Sequence, residues 1–142
     1  MKKILLVLAA LTMQCHAVAD SPYEESVKDL LQDYNYSKDK AVASVVLVRC
    51  AALINMTNMV SQVPEQLQID PNELFVSSIA MRTSNPSREE ASNTIAEFKE
   101  FSKQYQTWFK TASEEYGNPF DSQELKAEFE ICDEAAREFL GK

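Results

Sequence analysis

Glycine is scarce in this sequence, because only Gly117 and Gly141 occur among 142 residues. Loops that cradle phosphate groups, and the fingerprint that binds dinucleotides, need two or three glycines within one turn. The calcium-binding loop of an EF-hand also requires a glycine at its sharpest turn. The sequence therefore excludes these nucleotide-binding and calcium-binding motifs.

Histidine is scarcer still, and its one residue, His16, lies in an N-terminal segment built like a secretory signal peptide. In that segment two lysines precede an apolar run, and the small residues Ala-Val-Ala follow it. This three-part pattern predicts cleavage before Asp20 and a periplasmic or secreted protein. We therefore expect a cleaved signal over residues 1–19 and a single all-helical domain over residues 20–142.

Loss of the signal would leave a mature chain without histidine, the commonest general base in enzymes. A Ser-His-Asp triad is then impossible, and so is a metal site with imidazole ligands. Adjacent acids such as Glu89-Glu90 and Glu114-Glu115 diverge by about 100° on a helix, so they do not share a site. We predict that the protein is not an enzyme and holds no metal or cofactor.

Basic residues are fewer than acidic residues. The chain has 14 basic and 22 acidic side chains and a net charge of −8, and removal of the two signal lysines changes this to −10. Nucleic acids and anionic lipid surfaces attract proteins of the opposite charge. We therefore expect no nucleic-acid partner.

Helix-start signals are abundant. Ser21, Asp70, Ser87 and Asp121 are each followed three residues later by a glutamate, which is the capping-box pattern. No apolar-polar alternation is long enough to form paired strands. The predicted fold is all-α, a small disulfide-stapled helical bundle of about five helices. These helices are expected over residues 22–35, 38–61, 71–83, 88–116 and 122–140.

Apolar residues at helical spacing predict the core. The second predicted helix is apolar on nearly every side, so we expect it to be central. The fifth carries a narrow seam formed by Leu125, Phe129, Cys132, Ala136 and Phe139. The fourth carries a broader stripe that comprises Ala91, Ile95, Phe98, Phe101, Tyr105, Trp108, Phe109, Ala112 and Tyr116.

Residues 41–60 are long enough to cross a membrane, but they include Arg49, Asn55 and Asn58. An arginine at the centre of a span costs about 2.5 to 3.5 kcal/mol on insertion scales. We therefore predict that this helix is buried in protein and that the mature chain has no membrane span.

Two cysteines, Cys50 and Cys132, remain after removal of the signal, and both lie on apolar helix faces. In an oxidising compartment such a pair in a small domain usually forms a disulfide. A reactive thiol is the alternative, since it needs a positive neighbour and Arg49 could be one. We predict the Cys50–Cys132 disulfide.

Arg49 needs a partner of its own, because an unpaired buried guanidinium is costly. Glu128, Glu130 and Asp133 are candidates, since they lie near Cys132. Alternatively, Arg49 binds an anionic ligand.

The aromatic stripe also has two interpretations, as core or as a groove for an apolar ligand or a partner helix. The candidate contact residues are Arg49, Phe101, Tyr105, Trp108 and Phe109.

Three functions remain compatible with these observations. The leading hypothesis is a non-enzymatic periplasmic protein that binds another envelope or secreted protein. The first alternative is an acid-stress chaperone, because protonation of 22 carboxylates would change the charge of the mature chain from −10 to about +12 and loosen a packed bundle. The second alternative is a carrier of a small apolar ligand.

Overall fold

The structure is a computed structural model that describes residues 26, 27, 31, 38–60 and 69–141. Within these residues it contains four α-helices and one 3-10 turn and no strand. The helices are α1 (Lys40–Thr57), α2 (Pro71–Arg82), α3 (Arg88–Tyr116) and α4 (Gln123–Leu140), and the 3-10 turn is Pro119–Asp121. The predicted all-α, disulfide-stapled bundle is thus confirmed. The predicted signal and most of the first predicted helix lie outside the described residues.

The helix starts follow local side-chain chemistry. At α3, Ser87 and Glu90 form the predicted capping box, since each side chain accepts a hydrogen bond from the backbone N–H of the other residue. At α2, Asp70 accepts from the N–H of Asn72, and Pro71 occupies the first helical position, where its missing N–H costs nothing. Both helix starts were thus visible in the sequence.

The start of α4 corrects the prediction by one residue. The sequence pattern placed the cap at Asp121, but Asp121 ends the 3-10 turn and Ser122 is the N-cap. The Ser122 hydroxyl oxygen accepts a hydrogen bond from the N–H of Leu125 at 3.3 Å. The Ser122 hydroxyl also donates to the Glu124 carboxylate at 2.8 Å.

Helix α1 is the centre of the fold. It contacts α2, α3 and α4, and most of its side chains are buried, as its nearly uniform apolar composition predicted. Among the described helices it is also the one with the length and mean hydropathy, 1.5, to cross a membrane. The bundle buries 67% of that helix, which favours a core helix over a span.

The stripe on α3 is only partly as predicted. Tyr105, Trp108, Phe109 and Ala112 are buried, but Ile95 and Tyr116 are 44% and 43% exposed. Their prediction as core residues is wrong: Tyr116 is the last residue of α3, and beside Ile95 it is Thr94 that takes the inward position. The buried face of α3 therefore includes Thr94 near its start and ends before its last turn.

Thr94, rather than Ile95, faces inward near the start of α3. It is fully buried, and its hydroxyl donates to the carbonyl oxygen of Glu90 at 2.9 Å. A buried hydroxyl that returns its hydrogen bond to the preceding turn leaves no unpaired polar atom. The inward face of α3 thus begins on a polar residue, which an apolar pattern does not reveal.

Candidate functional site

The disulfide joins the two helices that carry the buried charges. Cys50 of α1 and Cys132 of α4 are bonded, with Cα atoms 5.3 Å apart, and both are fully buried. The prediction is confirmed, and both sulfurs are committed to the bond, so the reactive-thiol alternative has no support. Closure of a loop with a sequence separation of 82 residues stabilises the fold by up to about 4.5 kcal/mol in the chain-entropy model.

Arg49 lies one residue before Cys50 and is only 4% exposed. Its Nη2 atom is 4.0 Å from Oε2 of Glu128, which is 1% exposed. Of the three predicted partners, Glu128 is therefore the one that the structure places against it. Glu130 is exposed, and Asp133 pairs instead with Arg137 at 2.6 Å.

Two aromatic rings lie against the guanidinium of Arg49 in addition to its counter-charge. Its Cζ atom is 4.8 Å from the ring centroid of Phe101 and 5.9 Å from that of Tyr105, within cation-π range. Among the described residues, its Nε and Nη2 atoms have no hydrogen-bond partner. Arg49 is thus held by a counter-charge and two ring faces.

Glu128 accepts hydrogen bonds from two other parts of the chain. The Tyr105 hydroxyl donates to its Oε2 at 2.5 Å, and the backbone N–H of Val27 donates to its Oε1 at 2.6 Å. Both donors are themselves fully buried. One carboxylate therefore connects α1, α3, α4 and the chain at Val27. We call Arg49, Tyr105 and Glu128 the buried cluster.

The buried cluster favours the neutral form of its tyrosine. Burial, and next the negative charge of Glu128, raise the pKa of the Tyr105 hydroxyl far above its usual value, and the charge of Arg49 only partly offsets this. Tyr105 therefore stays protonated and remains a hydrogen-bond donor at any physiological pH.

A second charged cluster lies at the edge of the bundle. Arg82 of α2 donates two hydrogen bonds to the two carboxylate oxygens of Glu97 in α3, and its Nε donates to the Ser44 hydroxyl of α1 at 2.5 Å. The side chains of Arg82 and Glu97 are 21% and 39% exposed. We call these three residues the rim cluster; no pattern in the sequence indicated it.

The predicted contact residues lie in the interior. Tyr105 and Trp108 are fully buried and pack edge to face at 5.4 Å, and Phe109 packs in the same way on Phe120 and Phe129. Phe101 is partly buried beside Arg49. Their role as contacts for a partner or ligand stays a prediction, and a partner would reach most of them only if the bundle opened.

The exposed apolar side chains are not the predicted contact residues. Met59 and Val76 are 72% and 64% exposed, and Ile95 and Tyr116 add two positions on α3. Val76 borders an open groove of about 510 Å³ that is lined by Asn72, Glu73, Val76, Ser77, Phe139 and Leu140. Because this groove is open rather than enclosed, it does not favour the ligand-carrier alternative, which stays a prediction.

Metal ligands do not converge in the described part of the chain, where no three His, Cys, Asp or Glu side chains are placed to hold an ion. Comparison of the chain with protein-family models, with curated proteins and with solved structures finds no match. The arrangement of the chain's own residues therefore carries the functional interpretation.

Proposed function

We propose that the protein is exported, is not an enzyme, and acts by contact with another envelope or secreted protein. The observation that carries this proposal is that the reactive side chains contact one another inside the bundle. Cys50 and Cys132 are bonded to each other, and Arg49, Tyr105 and Glu128 face one another in the core. The groups that remain for recognition are those on the helix surfaces.

Compartment and contact surface complete the proposal. The disulfide is compatible with an oxidising compartment, and with the predicted signal it supports a periplasmic or secreted location. Exposed Val76 on α2 and exposed Ile95 on α3 offer apolar area that the bundle itself does not cover. These two positions are our candidates for the contact.

Site-specific photo-crosslinking in cells tests this proposal. A photoreactive amino acid is placed at Val76, at Ile95 and, as a control, at Lys110, which is 77% exposed and pairs with Glu114 within α3. We expect a cross-link to one identified protein from Val76 or Ile95 and none from Lys110. Binding of that purified partner should weaken in a Val76→Glu variant. Equal labelling at all three positions, or none at any of them, contradicts the proposal.

The acid-chaperone alternative is favoured by one specific observation. A buried carboxylate, Glu128, links four parts of the chain, and aromatic residues that could bind an unfolded client are buried in the core. Light scattering of an aggregating client at low pH, with and without this protein, is the test. The alternative is discarded if aggregation is not suppressed.

A further inference from the structure

We propose that Glu128 is an acid-sensitive latch that holds the chain at Val27 on the bundle at neutral pH and releases it when the carboxylate is protonated. This inference goes beyond the proposed function and depends on neither the contact nor the chaperone hypothesis. It rests on the geometry of the buried cluster and on the position of the disulfide.

The carboxylate of Glu128 faces groups that stabilise its charged form. From α1 it faces the cation of Arg49 at 4.0 Å, and from α3 it accepts from the hydroxyl of Tyr105. From the chain before α1 it accepts from the backbone N–H of Val27. A positive charge and two donated hydrogen bonds favour the carboxylate over the neutral acid, against the opposing effect of burial.

Protonation of Glu128 changes every one of these contacts. A neutral carboxyl accepts hydrogen bonds more weakly than a carboxylate, so the bonds from Tyr105 and Val27 are weakened together. Arg49 then loses its one counter-charge among the described residues, where its Nε and Nη2 atoms already lack hydrogen-bond partners. Such a cation strongly favours any rearrangement that admits water.

The contact at Val27 is the one that lies outside the loop closed by the disulfide. Helices α1 and α4 are joined covalently through Cys50 and Cys132, one residue after Arg49 and one helical turn after Glu128. Helix α3 is joined to α4 by the short stretch of residues 117–122. Val27 lies 101 residues before Glu128 and 13 residues before the start of α1, outside the disulfide-closed loop. The hydrogen bond to Glu128 is thus a non-covalent tie on a part of the chain that the disulfide does not restrain.

Release at Val27 would also expose apolar surface. Val27 is fully buried and belongs to the same core as Tyr105 and Trp108, and Leu31 packs against that core. When Val27 leaves, the side chains beneath it meet water. Acid would thereby create a surface that is absent at neutral pH, while the disulfide keeps α1 and α4 together.

Amide hydrogen exchange measured by NMR on the oxidised protein tests the latch. Protection of the Val27 amide is compared with that of Leu53, a buried residue of α1, as the pH is lowered from about 7 to about 3. We expect Val27 to lose protection by about 10- to 100-fold, the effect of one hydrogen bond to a charged group, while Leu53 stays protected. Loss at both sites together, or at neither, overturns the proposal.

Three variants make the test specific. Glu128→Gln keeps the shape but not the charge, so Val27 should be unprotected already at neutral pH and insensitive to acid. Glu97→Gln removes the carboxylate of the rim cluster and should behave as wild type. Tyr105→Phe removes one donor to the charged form of Glu128 and should move the release to higher pH. If Glu128→Gln does not fold, wild type and Tyr105→Phe decide, and an unchanged midpoint in Tyr105→Phe overturns the latch.

Discussion

Arg49 and Arg82 each face a glutamate of another helix, but in opposite surroundings. In the rim cluster, Arg82 forms a forked, two-bond pair with Glu97, and both side chains reach water. In the buried cluster, Arg49 is 4.0 Å from Glu128, and both are almost fully buried. The pair with the better hydrogen-bond geometry is therefore the one whose charges are more exposed to screening by water.

Hydrogen-bond geometry alone does not predict which pair contributes more to the stability of the fold. Water screens the charges of Arg82 and Glu97, so loss of either partner leaves a group that water can solvate. Water does not reach Arg49 and Glu128, so loss of either partner leaves an uncompensated charge in the core. What separates the two pairs is the cost of breaking them, and that cost is set by burial.

Glu128→Ala should give the largest effect. It removes the counter-charge that the described part of the chain gives the buried Arg49 cation, and it removes the acceptor of the Tyr105 and Val27 hydrogen bonds. We expect the free energy of unfolding to fall by about 3 to 5 kcal/mol. Urea unfolding followed by circular dichroism measures it, with Glu130→Ala on the exposed face of α4 as the matched control. A Glu128→Ala variant as stable as Glu130→Ala would refute the importance of the buried cluster.

The partner of Arg49 illustrates how far sequence reasoning reaches. Proximity to Cys132 suggested Glu128, Glu130 and Asp133 together. Helical spacing selects one of them, because a residue four positions away shares a face, whereas residues one or two positions away do not. Once the disulfide sets α1 against α4, Glu128 is the acid that faces Arg49. The pattern of the sequence thus contained this part of the site.

Other parts of the site depend on contacts between residues far apart in the chain. The hydrogen bond from Val27 to Glu128 spans 101 residues, and no local pattern indicates it. The pair of Arg82 with Glu97 depends on how sharply the chain turns between α2 and α3. The exposure of Ile95 beside the buried Thr94 depends on which face of α3 the other helices contact. Tertiary geometry decides all three.

Tyr105→Phe should have an intermediate effect that depends on pH. At neutral pH it removes a hydrogen bond to a charged acceptor and should cost about 1.5 to 3 kcal/mol. The folded protein raises the pKa of Tyr105, so its contribution is complete below the pKa of the unfolded tyrosine, about 10, and is lost as the pH rises above it. The stability difference between wild type and Tyr105→Phe should therefore shrink by about 1.4 kcal/mol per pH unit above 10.

Unfolding in urea at several pH values between about 7 and 12 measures this difference. Tyr116→Phe is the control, because Tyr116 is half exposed at the end of α3. A difference between wild type and Tyr105→Phe that stays constant up to the highest pH would show that Tyr105 ionises equally easily in the folded and unfolded chains. The pKa shift assigned to its burial would then be wrong.

The smallest effect is expected at the rim. A double-mutant cycle with Arg82→Ala and Glu97→Ala should give a coupling energy of about 0.2 to 1 kcal/mol despite the forked geometry, because both side chains are partly solvated. Added salt should reduce it further, since exposed charges are screened. The same cycle with Arg49→Ala and Glu128→Ala should give a larger coupling that salt barely changes. If the rim pair proves the stronger and less salt-sensitive of the two, then hydrogen-bond geometry outweighs burial in this bundle, and the central role of Glu128 fails with it.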